Sequence, residues 1–135
     1  MGQIVGLDTA IFIYLLEDKA PYADHCANIL QRIQCGADQG IFANLGMIEL
    51  LTGPKRTQQL EQVHEFRNYL EHFPNLTLAE LNDPVIEFAS DFRAYYRIST
   101  PDAVHIACSI VYGADEFITN DKALKKIKEI KVKLL

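Results

Sequence analysis

Long apolar runs are missing from this chain. No stretch approaches the ~20 residues that a membrane-spanning helix requires. The amino terminus has neither a basic region nor a small-residue cleavage site of the kind that marks a signal peptide. Together these absences lead us to expect a cytoplasmic protein with no membrane partner. Cysteine is scarce: there are three, Cys26, Cys35 and Cys108, and none forms a Cys-x-x-Cys pair. Cys26 and Cys35 are expected on one helix, about 13 Å apart, which is too far for a disulfide. Free structural thiols are expected instead. Repeats, low-complexity tracts and linkers are also lacking, so residues 1–135 are expected to form a single domain. A chain of that length buries about two-thirds of its unfolded surface and needs no staples.

Positive charge is scarce over most of the length. Residues 1–121 carry seven basic groups against seventeen acidic ones, whereas residues 122–135 carry six lysines and Glu129. The net charge of −5 argues against simple electrostatic binding of nucleic acid. It is compatible with a nuclease whose acidic pocket holds cations and whose rim is basic.

Short apolar segments alternate with helical patterns. "GQIVGLD" reads as a strand stopping at Asp8, and "TAIFIYLLE" as a helix with Asp8 or Thr9 at its start. "YADHCANILQRIQCG" has helical spacing and closes at Gly36. "GIFAN" is a second strand, and "LGMIELLTGP" a helix expected to end at Gly53-Pro54. Residues 57–72 read as an amphipathic helix with Leu60, Val63, Phe66 and Leu70 on one face. "NLTLAEL" is a third strand or extended connector. Asn82 or Asp83 caps a helix with Pro84 in its first turn and Phe88, Phe92 and Tyr95 as its apolar stripe. Thr100-Pro101 opens another helix, closed by Gly113. "EFIT" is a fourth strand, "DKALKKIKE" a short helix or turn, and "IKVKLL" a fifth strand at a charged sheet edge. The alternation predicts a three-layer α/β/α sandwich around a central, mainly parallel sheet of four or five strands.

In parallel sheets ligands collect at the carboxyl ends of the strands. Four acids fall near that edge. Asp8 ends the first strand, Asp121 follows the fourth, Asp102 opens the helix before the fourth, and Glu49 lies in the helix after the second. Each has an ordinary structural reading. Asp8 and Asp121 suit helix caps, Asp102 suits a capping box with Ser99, and Glu49 suits a solvated helix position. Their coincidence at one edge points elsewhere. Crowded carboxylates repel and hold protons unless a cation neutralises them. A hard divalent ion does so through oxygen ligands, and it can activate water for in-line attack on a phosphodiester.

These residues resemble the PIN domain, and within it the VapC-type toxins of prokaryotic toxin–antitoxin pairs. "LDTAIFIYLLE" is similar to the family's first strand and helix, with Asp8 at its first acid. "NLGMIELLTGP" places Glu49 at the second acid and Asn44 where a small polar residue is usual. "TPDAVHIACSIVYGADEFITND" places Asp102 and Asp121 at the third and fourth. Two positions depart from the pattern: Ala10 replaces a polar residue, and Asn44 replaces Ser or Thr. The resemblance implies a single-strand-specific endoribonuclease dependent on Mg²⁺ or Mn²⁺, a homodimer, and a small antitoxin that inserts a segment, often with an Arg, into the acidic pocket.

On this reading Asp8, Asp102 and Asp121 hold one metal, and Glu49 supports a second metal or the attacking water. Thr9, Asn44, Thr119 and Asn120 are auxiliary, with Thr119 and Asn120 either positioning water or phosphate or serving as turn residues. Lys122, Lys125 and Lys126 are candidate contacts to the RNA backbone, or else a solvated face. His105, three residues after Asp102, is expected to pack or cap its helix, with substrate contact as the alternative. Other readings are a PIN RNA-processing nuclease without an antitoxin, a non-catalytic PIN binding module and a phosphoacceptor receiver domain. The receiver lacks its central Asp, because "NLTLAEL" ends without one. A haloacid-dehalogenase-type phosphatase needs Asp-x-Asp, and Thr9-Ala10 follows Asp8.

Overall fold

The computed structural model describes residues 2–135. Its elements run β1 (Ile4–Leu7), α1 (Thr9–Leu16), α2 (Ala23–Gln34), β2 (Gln39–Ala43), α3 (Gly46–Arg56), α4 (Leu60–Glu71), β3 (Leu76–Ala79), α5 (Asp83–Tyr96), α6 (Thr100–Val111), β4 (Glu116–Thr119) and β5 (Lys131–Leu134). A 3₁₀ turn, Lys122–Lys126, joins the last two strands. The five strands form one sheet in the order β3-β2-β1-β4-β5, and every pairing is parallel. The chain steps outward from β1 to β3, then crosses back to β4 and β5. The reversal falls between β1 and β4, the place where open parallel sheets form ligand crevices.

Strand alternation assigns the two layers. On one side Ile41, Ala43, Phe117 and Val132 meet α5 and α6 through Phe92, Val104 and Ile106. On the other, Val5, Leu7, Phe42 and Ile118 meet α1 to α4 through Phe12, Leu30, Met47 and Leu70. Opposite faces for the outward and return halves follow from right-handed crossovers. Helix α6 lies close on β1 because Gly6 has no side chain: a Cβ there would come within 1.9 Å of Ser109 Oγ. At its far end Gly113 adopts φ 87°, which closes the helix and turns the chain into β4.

Several expectations need correction. Helix α3 does not stop at Gly53-Pro54 but continues to Arg56 with Pro54 inside it. A proline ring clashes with the Cβ of the preceding residue, and Gly53 has none. Leu60 is exposed, so the inner face of α4 is carried by Val63 and Leu70. Tyr95 is 80% exposed and Phe88 partly so, and α5 instead buries Val85, Ala89 and Phe92. Cys35 is the residue after α2 rather than a member of it, and all three thiols are free. Burial pushes the Cys108 thiol up to about 11, which makes it inert as a nucleophile. Among the described residues no helix is long and apolar enough to cross a membrane.

Candidate active site

The ends of β1 and β4 are joined before any carboxylate is considered: the Asp8 amide donates to the Ile118 carbonyl at 3.0 Å. Asp8 occupies the N-cap position of α1, yet its side chain makes no capping bond. Its Oδ2 accepts from the Thr119 hydroxyl at 2.6 Å. Thr119 is fully buried, and its oxygen also accepts the Asp121 amide at 3.1 Å. One hydroxyl thus ties the first acid to the fourth across the sheet's switch point. Asp121 keeps its ordinary role as well, since its Oδ1 caps the 3₁₀ turn at the Ala123 amide, 2.9 Å away.

Asp102 reaches the same place from α6. Ser99 caps that helix, accepting the Asp102 amide at 3.3 Å, and Pro101 follows in the first turn. The Asp102 carboxyl titrates above the usual range. Burial is the main cause, the Ser99 hydrogen bond opposes it, and the negative charges of Asp8 and Asp121 raise it further. Asp8 and Asp121 are thus near enough for their charges to act on the Asp102 carboxyl.

Glu49 is held differently. Its Oε1 accepts from the Thr9 hydroxyl at 2.7 Å and from His105 Nε2 at 2.8 Å. The His105 bond is the main reason its carboxyl titrates below the usual range; burial opposes and the Thr9 bond assists. Glu49 also borders an open groove between α1, α3 and α4, about 380 Å³ in volume, with Ile13, Leu16, Leu50 and Phe66 on its walls. A larger groove of about 590 Å³ lies away from the acids, beside α2 and the starts of β1 and β4.

The auxiliary residues divide. Thr9 and Thr119 bond the acids directly. Asn120 does not: its amide donates to the Tyr14 hydroxyl at 2.9 Å, and Tyr14 stacks on Tyr22 with ring centroids 5.0 Å apart. Asn44 is exposed at the turn into α3. Lys122 and Lys126 are exposed at the two ends of the 3₁₀ turn that follows Asp121, whereas Lys125 Nζ is committed to the Val132 carbonyl at 2.9 Å. Sequence spacing gave His105 a packing or capping role. Its bond to a carboxylate on another helix needed the packing of three elements to become visible.

Among the described residues, no three His, Cys, Asp or Glu side chains stand close enough to hold an ion as they lie. The donor chemistry nonetheless suits a hard divalent cation. The converging groups are oxygen donors, and Mg²⁺ uses about one or two carboxylates while retaining waters.

The PIN domain family model matches residues 5–130. The chain belongs to the PIN domain family. No curated protein matches it significantly. Solved structures share the fold. VapBC2 from Rickettsia felis, bound to a promoter DNA fragment, superposes with a TM-score of 0.77 at 17% identity over 97% of this chain and 98% of that one. VapBC-1 from nontypeable Haemophilus influenzae gives 0.74 at 19% identity, covering 96% of each chain. VapC20 from Mycobacterium tuberculosis, a sarcin–ricin loop cleaving toxin, gives 0.66 at 13% identity over 95% and 98%. In this PIN domain Asp8 directly follows β1, Asp102 lies in the first turn of α6 and Asp121 directly precedes the 3₁₀ turn after β4.

Proposed function

We propose that this PIN domain is a divalent-metal-dependent endoribonuclease acting on single-stranded RNA, and the toxin of a type II toxin–antitoxin pair. The observation that carries the nuclease reading is geometric: one Thr119 hydroxyl joins Asp8 to the Asp121 backbone at the β1–β4 crevice, and Asp102 lies near enough that their charges add to the burial that chiefly raises its carboxyl. A site of that kind is completed by a cation. Mg²⁺ or Mn²⁺ bound there would neutralise the acids, polarise a phosphate oxygen and promote ionisation of a water. Asp8, Asp102 and Asp121 would hold it, directly or through water, with Glu49 assisting. Thr119 fixes the orientation of the Asp8 carboxylate. The exposed Lys122 and Lys126 would lead a phosphate backbone towards Asp121.

The toxin reading draws on the fold shared with VapBC assemblies and on the groove beside Glu49. Its walls are apolar and its rim is acidic, which suits a small antitoxin segment bearing leucine-like side chains and an Arg. A homodimer is proposed through the outer stripe of α5, where Phe88 and Tyr95 stand seven residues apart and exposed. A binding-only role is disfavoured because the sequence retains all four acids, Asp8, Glu49, Asp102 and Asp121.

Cleavage of a mixed single-stranded RNA pool tests the reading. The wild type should cleave only with Mg²⁺ or Mn²⁺ and stop on adding chelator. Asp8→Asn and Asp102→Asn should remain folded and lose at least about 100-fold in rate, the scale of removing one charge-stabilising group. Cleavage that survives both substitutions would remove the aspartates from the mechanism.

A further inference from the structure

His105 is 2% exposed and lies one turn inside α6 from Asp102. Three polar atoms meet at its ring edge. Nε2 is 2.8 Å from Glu49 Oε1 and 3.0 Å from Thr9 Oγ1, and the Thr9 hydroxyl is 2.7 Å from the same Oε1. The hydrogens are settled by chemistry. A carboxylate oxygen only accepts, so Thr9 spends its one hydrogen on Oε1. Nε2 must then carry a hydrogen to satisfy both neighbours, and it does so whether or not the ring is charged. The other nitrogen, Nδ1, is buried with no partner among the described residues. A histidine kept only for packing would be a poor choice there, because an apolar residue of similar size would leave nothing unsatisfied. The ring lies nearly parallel to Phe42, with centroids 5.8 Å apart, which limits its swing.

The two donors come from elements that carry other acids. Thr9 adjoins Asp8 on α1, and His105 follows Asp102 by one turn on α6. Glu49, on α3, is therefore placed by the immediate neighbours of the two aspartates. Both bonds end on Oε1, so neither donor occupies Oε2, and the side chain is 39% exposed.

We propose that His105 is a positioning residue for the acid site: with Thr9 it pins Glu49 Oε1 and so presents Oε2 to a divalent cation. The inference rests on the metal-dependent reading above. It assigns to a buried imidazole the task of an outer hydrogen-bond partner, the kind of group whose loss weakens metal sites.

The test compares His105→Leu, which fills the space without a donor, with His105→Gln, whose amide can place an N–H near the Nε2 position. Thr9→Val removes the other donor and leaves the ring in place. Mn²⁺ affinity is read by titration calorimetry without RNA, melting temperature without metal, and kcat and KM on a cleavable RNA. His105→Leu should weaken Mn²⁺ binding about ten-fold or more, as outer hydrogen-bond partners of metal ligands do. His105→Gln should recover most of that loss, and the cleavage defect should fall on kcat. Thr9→Val should weaken binding too, and it carries the test alone if His105→Leu does not fold. The inference is overturned if Thr9→Val or a folded His105→Leu binds Mn²⁺ as the wild type does, or if folded Gln and Leu variants lose affinity equally. A wild type that binds no Mn²⁺ and cleaves nothing would instead overturn the nuclease reading, and this inference with it.

Discussion

Asp102 holds its charge against the surrounding field. Its carboxyl is half-buried and titrates high, chiefly from burial, with Asp8 and Asp121 adding to it. The folded state therefore binds the proton more tightly than the unfolded one. The resulting stability is fully present below the unfolded value of about 3.9, and it is lost as pH rises through the folded value. Asp102→Asn keeps the shape and removes the charge. In thermal melts without divalent ions it should melt above the wild type at pH 7, with the gap closing towards pH 3. Adding Mg²⁺ should stabilise the wild type and narrow the gap from the other side. A variant that melts below the wild type at pH 7 would show that the clustered charges are not in conflict. The placement of Asp8, Asp102 and Asp121 at element ends was legible in the sequence, because strand ends and helix starts fix backbone position and a short carboxylate cannot stray far from it. His105 was not, because its role depends on where α1 and α3 lie against α6.

The helices that carry these residues are placed by small groups as much as by large ones. Helix α6 lies against β1 through Gly6 and Ser109, whose hydroxyl also bonds the His105 carbonyl at 3.0 Å. A methyl group at position 6 would meet both Ser109 Oγ, at 1.9 Å, and Ser109 Cβ, at 2.6 Å. Rotating the serine cannot relieve the second contact, so the helix must shift. Gly6→Ala should cost about 1–3 kcal/mol in urea unfolding, the range for overpacking. It should also slow cleavage, because α6 carries Asp102. Adding Ser109→Gly should recover part of both losses; recovery of neither would mean that the strain lies elsewhere. At this scale the sequence was legible in element order and type, and less so in boundaries and faces. Pro54 reads as a stop, yet the amides of Thr57, Gln58 and Gln59 donate to the carbonyls of Gly53, Lys55 and Pro54 respectively. On α5 the large aromatics drew the reading towards Phe88 and Tyr95, while Ala89 sits inside and lets the helix approach its neighbours.

Across the whole molecule, charge and topology work on the same end of the sheet. The reversal of strand order between β1 and β4 opens the crevice, and the chain then leaves it along the only lysine-rich stretch. Alternating segments made a parallel sheet legible, but not the order of its strands, which depends on long-range packing. On the proposed reading an acidic chain must overcome its own repulsion of RNA, and Lys122 and Lys126, exposed in the turn that follows Asp121, would do so. Lys125 belongs to the same run but is tied to β5 through the Val132 carbonyl. Single-stranded nucleic acid releases about 0.7 counterion per phosphate neutralised. In an Asp8→Asn background that prevents cleavage, replacing both Lys122 and Lys126 with Ala should lower the slope of log Kd against log salt by about 1.4, twice the per-phosphate value. Lys125→Ala should leave that slope unchanged and lower the melting temperature slightly. A slope indifferent to the first pair and sensitive to Lys125 would mean that the RNA approaches over β5, and that the short turn after Asp121 serves the fold rather than the substrate.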